Sequence, residues 1–278
     1  MTEQFLRNKN AWIIGGASGM GKAIAIELAR AGANIAIGSL ITEQTEHSLE
    51  GELVNLPTRQ QLETTAEEIG AFGGLVVATN LDVCTVNSLL TAHQQIVATL
   101  GNVDILVNAA GITTEQTICQ HSDAVWHRVI DVNLHGCYRS IRLCLPTMIE
   151  KRWGRIINIA STAASVGAAG SAAYCASKAG LVALSRCVAL EGAEFGVTCN
   201  SISPGWVETD FGNKWMEHIA NNTTEQTLQE YITDVRNSNP QKRIIQPSEI
   251  AALAAFLCKE QAKGITMQDL TVSGGSLW

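Results

Sequence analysis

Seven short apolar runs punctuate this 278-residue chain: Ala11–Gly15, Asn34–Gly38, Leu75–Leu81, Val103–Val107, Arg155–Ala160, Val197–Ser203 and Asp269–Val272. Longer stretches with helical patterning separate them. Six of the seven are rich in Val, Ile and Leu without polar alternation, as strands covered on both faces should be. Such strands pair in parallel, because each crossover carries a helix over one face of the sheet. The expectation is a single α/β domain over 1–278: a Rossmann-type doubly wound parallel sheet of about seven strands, with helices on both faces. Residues are 46% hydrophobic and include 24 glycines, which suits close helix-on-sheet packing. No linker rich in Pro, Ser or charge divides the chain, and no internal repeat is present.

The formal net charge is −7 without a basic tract, which argues against nucleic acid or an anionic membrane as partner. No apolar run approaches the ~20 residues of a membrane span. Met1–Asn10 lacks the apolar stretch of a signal peptide, so cytoplasmic residence is expected. The eight cysteines are scattered with no C-x-x-C pair, so no metal site or redox pair is expected and most read as small buried hydrophobes. Cys175, beside Tyr174, is the one positioned for reactivity.

Two segments exceed a minimal α/β plan: a polar insertion, 40–61, after the second strand, and 208–240 after the sixth. Both follow strand C-terminal ends, where open α/β sheets bind ligands, and segments of this length tend to be functional. The segment 208–240 is expected to form a substrate lid. It carries Phe211, Trp215, Met216 and His218 beside Asn221, Asn222, Thr223 and Thr224, and Trp206 precedes it. These aromatics either pack on an apolar or cyclic substrate or anchor the lid. No arginine lies in 206–231, which disfavours a strongly anionic substrate.

The first strand runs into Gly15-Gly-Ala-Ser18-Gly19-Met20-Gly21 and then a helix. Glycines let backbone approach a diphosphate, and the helix N-terminus offers free N–H donors. The third strand ends at Asp82-Val83, where Asp82 can accept from an adenine amino group. The fourth ends at Asn108-Ala109-Ala110-Gly111, a turn small enough for a flat ring to lie on the backbone. Further on, Tyr174 and Lys178 stand four apart and share a helix face. A phenol titrates near pH ~10, and an adjacent ammonium favours its phenolate. Ser161, at the tip of the fifth strand, would bring a hydroxyl to the same place. The three groups suit proton transfer at a carbonyl or carbinol.

Taken together, Gly15-x-x-x-Gly19-x-Gly21, Asp82, Asn108-Ala-Ala-Gly111, Asn133, Ser161, Tyr174-x-x-x-Lys178 and Pro204-Gly205 resemble the short-chain dehydrogenase/reductase family from about Asn10 to the C-terminus. The resemblance implies an NAD(P)(H)-dependent oxidoreductase that interconverts a small ketone and a secondary alcohol. Tyr174 would be the general acid/base and Ser161 would hydrogen-bond the substrate oxygen. Lys178 would bind the nicotinamide ribose, and Asn133 would hold a water linking Lys178 to solvent. Pro204, Gly205, Val207 and Thr209 would border the nicotinamide. A homotetramer is also implied, assembled through the helices bearing Asn133 and Tyr174, with Leu181, Leu184 and Val188 fitting either that contact or a core. Two departures stand out: Ile14 replaces the usual threonine that ties the glycine turn to its neighbouring strand, and Ala109 replaces an asparagine.

The tip of the second strand, Gly38-Ser39-Leu40, has no acidic residue to select the unphosphorylated ribose. Ser39 can bond either ribose, and Arg59 either folds back onto a phosphate or is a solvated loop charge. NADP(H) is therefore favoured over NAD(H). Family members that act on acyl carrier protein use a basic docking pair; Lys151-Arg152 matches one half, but Phe195 stands where the other arginine would be. A free small-molecule carbonyl or alcohol is accordingly ranked first. The alternatives are a lyase or epimerase on the same scaffold, and a catalytically silent nucleotide-binding regulator. The C-terminal Trp278 would wall the pocket or enter a subunit contact.

Overall fold

The structure is a computed structural model that describes residues 4–44, 49, 51–223 and 226–277. Trp278 and Thr224 lie outside the described residues. The strands are β1 (Asn10–Ile14), β2 (Asn34–Ser39), β3 (Glu52–Leu53), β4 (Val76–Asn80), β5 (Ile105–Asn108), β6 (Thr113–Thr114), β7 (Gly154–Ile159), β8 (Val197–Pro204) and β9 (Asp269–Val272). Seven of them form one sheet in the order β4-β2-β1-β5-β7-β8-β9, every neighbour parallel. They coincide with the seven apolar runs to within about two residues at each end.

Strand geometry sends successive side chains to opposite faces, and here both faces are dry. Ile13 packs on one side with α1 (Gly19–Arg30), α2 (Arg59–Gly70) and α9 (Pro247–Leu257). Trp12 and Ile14 pack on the other with α3 (Val86–Leu100), α4 (Asp123–Ile130), α5 (Gly136–Glu150) and α6 (Ala172–Gly192). Only at the sheet edge does alternation reappear, with Val77 and Thr79 of β4 buried between half-exposed neighbours. Leu181 and Val188 of α6 are buried in the core, and half-buried Leu184 packs against the same cluster as Val188.

Against the sequence expectation, one stretch, Ala172–Phe195, is long and apolar enough by composition to cross a membrane (24 residues, mean hydropathy 1.2). Half of it is buried against the rest of the protein, including Tyr174 and Lys178, as expected of a core helix.

The chain lays down β1, β2 and β4 in one direction, then returns to place β5 on the other side of β1. That reversal opens a crevice at the C-terminal tips of β1 and β5. The 40–61 insertion crosses it. Leaving β2, the chain reaches β3, whose Glu52 and Leu53 pair antiparallel with Thr114 and Thr113 of β6, just beyond β5. It then returns to begin α2. The 208–240 segment forms α7 (Asp210–Thr223) and α8 (Leu228–Ser238).

Candidate active site

The crevice begins where β1 gives way to Gly15. This residue has φ +82°, and a Cβ there would lie 2.5 Å from the Ala110 nitrogen. A Cβ on Gly21 would come 2.1 Å from the Gly15 carbonyl oxygen. Glycine is thus required both for the turn and for the seating of α1 on it. The Ser18 side chain, at the N-cap of α1, bonds none of the helix amides, and the first turn carries no acidic residue. Its free N–H groups and positive dipole end suit an anion. The hydroxyl lost at Ile14 is replaced from elsewhere: the Ala17 N–H donates to Ser39 Oγ at 3.1 Å, and Thr65 Oγ1 donates to the Ala17 carbonyl at 3.1 Å.

The cleft encloses about 1330 Å³, including its open mouth. Gly15, Ser18, Gly19, Met20 and Gly21 line one end, and Ser39, Asp82 and Val83 line the adenosine side. Ala109, Gly111, Tyr174, Lys178 and Thr209 follow toward the centre of the sheet. These residues fit a dinucleotide: a glycine cradle and helix end for the diphosphate, then small backbone for a flat ring. Asp82 spends part of its carboxylate on its own turn, accepting from the Cys84 N–H and the Thr85 hydroxyl at 2.9 Å each.

Asn108 does not line the cleft. It is buried and turned inward, where its amide donates to Asn158 Oδ1 at 2.8 Å and its oxygen accepts from Ser140 at 2.7 Å. Asn158 donates in turn to Ser185 at 2.8 Å, which accepts from Ser201 at 2.9 Å. Pro204, Gly205 and Val207 face a second chamber that joins the cleft at Tyr174.

Of its two readings, Arg59 takes that of a solvated charge. It is the first residue of α2 and is exposed, its N–H held by the Glu43 carboxylate at 3.1 Å, and it does not line the cleft. The insertion contributes Glu52 and Val54–Pro57 instead. Glu52 pairs with Arg128 of α4 at 3.5 Å, its side chain only 5% exposed, and Arg128 also lines the cleft. Sequence reasoning missed both. A two-residue strand has no readable period, and the helix that carries Arg128 passes into a π-helical turn at Asp131–His135, which shifts the regular 3.6-residue spacing.

Tyr174, Lys178 and Ser161 converge where cleft and chamber meet. Ser161 follows β7, its Oγ accepting from the Ala163 N–H at 3.1 Å. It lines the same chamber as the Tyr174 phenol. One turn along α6, Lys178 donates to the Ile159 carbonyl at 2.8 Å, its Nζ 5.6 Å from the Tyr174 ring centroid. Asn133 is fully buried behind them; it exchanges hydrogen bonds with both backbone groups of Ile112 at 2.9 Å and donates to Ser177 at 3.0 Å.

The expected lowering of the phenol pKa is not found. Burial pushes Tyr174 up to about 12, with Ser161 pulling the other way. Burial likewise pushes the Lys178 ammonium down to about 8. Both shifts share a cause: a dry site disfavours either charge.

The chamber brings in the lid. Trp215 of α7 meets Tyr174 edge-to-face at 5.1 Å and Trp206 at 5.1 Å, with Phe211 at 6.1 Å. Cys175 and Leu53 of the insertion pack against this cluster. The Trp215 indole N–H donates to Glu115 at 2.6 Å. On the far side of the molecule, Lys151 is paired with Asp104 at 3.0 Å. Arg152 donates to the Glu194 carbonyl at 2.7 Å and lies over the Phe195 ring at 5.5 Å.

Known proteins of this architecture match along nearly the whole chain. A sequence profile of the family described as enoyl-(acyl carrier protein) reductase matches residues 15–276. The 3-oxoacyl-(acyl-carrier-protein) reductase FabG of Staphylococcus epidermidis is 32% identical over 268 residues, covering 96% of this chain and 98% of that protein. The D-beta-hydroxybutyrate dehydrogenase of Rhizobium meliloti is 34% identical over 271 residues, covering 96% and 98%. The crystal structure of a tryptophan variant of actinorhodin polyketide ketoreductase with NADPH superposes with a TM-score of 0.87 at 31% identity, covering 96% of each chain. With a glycine-cradled crevice, a Ser–Tyr–Lys convergence and these relatives, the chain belongs to the short-chain dehydrogenase/reductase family.

Proposed function

We propose that this protein is an NADP(H)-preferring reductase of small, free ketones, with Tyr174 as the proton donor. The chain is an NAD(P)-dependent oxidoreductase of the ketone/secondary-alcohol class. The observation that carries the finer reading is the meeting of Tyr174, Ser161 and Lys178 at the junction of a dinucleotide-shaped cleft and an apolar chamber.

When bound, the nicotinamide supplies the hydride that reaches the carbonyl carbon. Ser161 and Tyr174 hold the carbonyl oxygen between two hydroxyls, and the Tyr174 proton passes to it as charge develops. With its pKa raised to about 12, the phenol stays protonated at neutral pH, the form that donates a proton to a ketone. Lys178 holds its ammonium beside the phenol and stabilises the phenolate left behind. Asn133 positions Lys178 indirectly, bracing the loop after β5 against α6.

The absence of a carboxylate at Gly38-Ser39-Leu40 supports NADP(H) over NAD(H). Lys151 and Arg152 are engaged within the chain, which supports a free substrate over one carried on an acidic protein. Exposed Tyr138 and Leu190, on α5 and α6, support a homotetramer. Titration with NADPH and NADH, followed by assay of a ketone panel, tests the reading. Tighter NADPH binding and Tyr174-dependent consumption of NADPH are expected. Interconversion of a substrate without net consumption of NADPH would favour a lyase or epimerase, and binding without any turnover a silent regulator.

A further inference from the structure

The chamber beside Tyr174 is more specific than a generic apolar pocket. Trp206 comes from the loop after β8, and Phe211 and Trp215 from α7, so its aromatic walls arise from two separately anchored segments. Trp215 is held in one plane. It is buried, and its N–H is engaged by Glu115, whose same oxygen accepts from Ser171 at 2.7 Å. With that polar atom engaged, Trp215 offers ring surface to whatever enters. The rings are inclined to one another, at 73° for Tyr174–Trp215 and 61° for Trp206–Trp215. Aromatic pairs prefer such offset and edge-to-face arrangements, and a flat guest ring can join them.

The polar side of the chamber is equally informative. Among the described residues that line it there is no Lys, Arg, His, Asp or Glu. Its hydroxyls are Ser161, Thr162, Tyr174 and Thr209, and Thr209 already accepts from the Gly212 N–H at 3.0 Å. An anionic substrate would bring a charge into this space with no counter-ion, which is costly. A flexible chain would lose rotamer freedom there that a rigid ring does not possess.

We propose that the substrate is a neutral, flat ring ketone, its carbonyl at Tyr174 and Ser161 and its ring held among Trp206, Phe211 and Trp215. This rests on the ketone-reductase reading above and names the substrate class for that same site.

Three ketones test it with NADPH: 2-tetralone (flat, bicyclic), 2-decanone (the same carbon number, linear) and 3-oxodecanoate (anionic). The expected order of kcat/KM is 2-tetralone, then 2-decanone about tenfold lower, with the anion last. Trp206→Ala should raise KM for 2-tetralone about tenfold, with a clearly smaller rise for 2-decanone. Phe211→Ala provides a second probe from α7. Equal use of 2-decanone and 2-tetralone, or an equal effect of Trp206→Ala on both, would overturn the ring proposal and leave the ketone-reductase reading standing. Absence of Tyr174-dependent turnover of all three would overturn both.

Discussion

Ser39 Oγ accepts the Ala17 N–H at 3.1 Å, so the tip of β2, rather than a residue of β1, ties down the glycine turn that would cradle a diphosphate. Ser39 is buried. Its place in the cleft lining is the basis for proposing that its hydroxyl also meets a cofactor ribose.

Replacing Ser39 by Ala leaves the Ala17 N–H without its partner, and such a loss costs about 1–3 kcal/mol. Thr65 still holds the Ala17 carbonyl, so the turn should loosen without unfolding. NADPH affinity is expected to fall about fivefold to tenfold with a lowered Tm. Fluorescence titration beside a thermal melt checks this, and an unchanged Kd would remove Ser39 from the cofactor site.

Tyr174→Phe deletes the hydroxyl while keeping the ring that packs on Trp215. Turnover should drop about 10²–10⁴-fold, with NADPH affinity unchanged within experimental error. Substantial residual turnover would assign the proton to another group.

Buried Tyr174 and Lys178 also predict how stability responds to pH. Lys178 is lowered to about 8 from 10.5. Between those values the unfolded chain binds a proton that the folded chain refuses, so stability rises with pH. Tyr174 is raised to about 12 from 10. Above pH 10 the folded chain keeps a proton that the unfolded chain has lost, so stability falls. Melting temperatures of wild type and Lys178→Met, measured from pH 8 to pH 10, should converge or cross as the wild type gains. Tyr174→Phe should flatten the decline above pH 10. Parallel curves would mean that neither group is buried in this way.

Glu52→Gln breaks the ion pair to Arg128 that fastens the insertion over the crevice. With Arg128 partly exposed, the stability cost should be small, below about 1 kcal/mol. The larger effect is expected in kinetics, with NADPH dissociating about threefold to tenfold faster in stopped-flow displacement. An unchanged dissociation rate would show that the insertion does not restrain the cofactor.

The sheet was legible because strands buried on both faces leave an unbroken apolar signature, as Ile13, Ile37, Val107 and Ile157 do. The Tyr174–Lys178 pairing was legible because both lie on one regular helix. For Arg59 the sequence held a signal that separates its two readings: Thr58-x-x-Gln61 is a capping box, and both of its bonds are formed. Reading it would have started α2 at Arg59 and drawn that side chain away from the cleft. The Tyr174 pKa was misjudged because proximity of a charge is visible in a spacing, whereas desolvation depends on everything that surrounds the site. Glu52 was beyond reach, since its partner Arg128 lies 76 positions away and nothing in either segment announces the other.

The inward-facing relay of Ser140, Asn108, Asn158, Ser185 and Ser201 has a consequence for the uniqueness of the fold. Runs of Ile and Val can slide past one another at little energetic cost, because one branched residue replaces another. A slip of β5, β7 or β8 by one residue would turn Asn108, Asn158 or Ser201 to the opposite face and strand its partners without water. The first two of these strands lead directly into Gly111 and Ser161, and the third ends at Pro204. The few polar residues within an otherwise greasy sheet therefore act as a key that sets how far each strand extends, and with it whether the reacting groups arrive at the same depth.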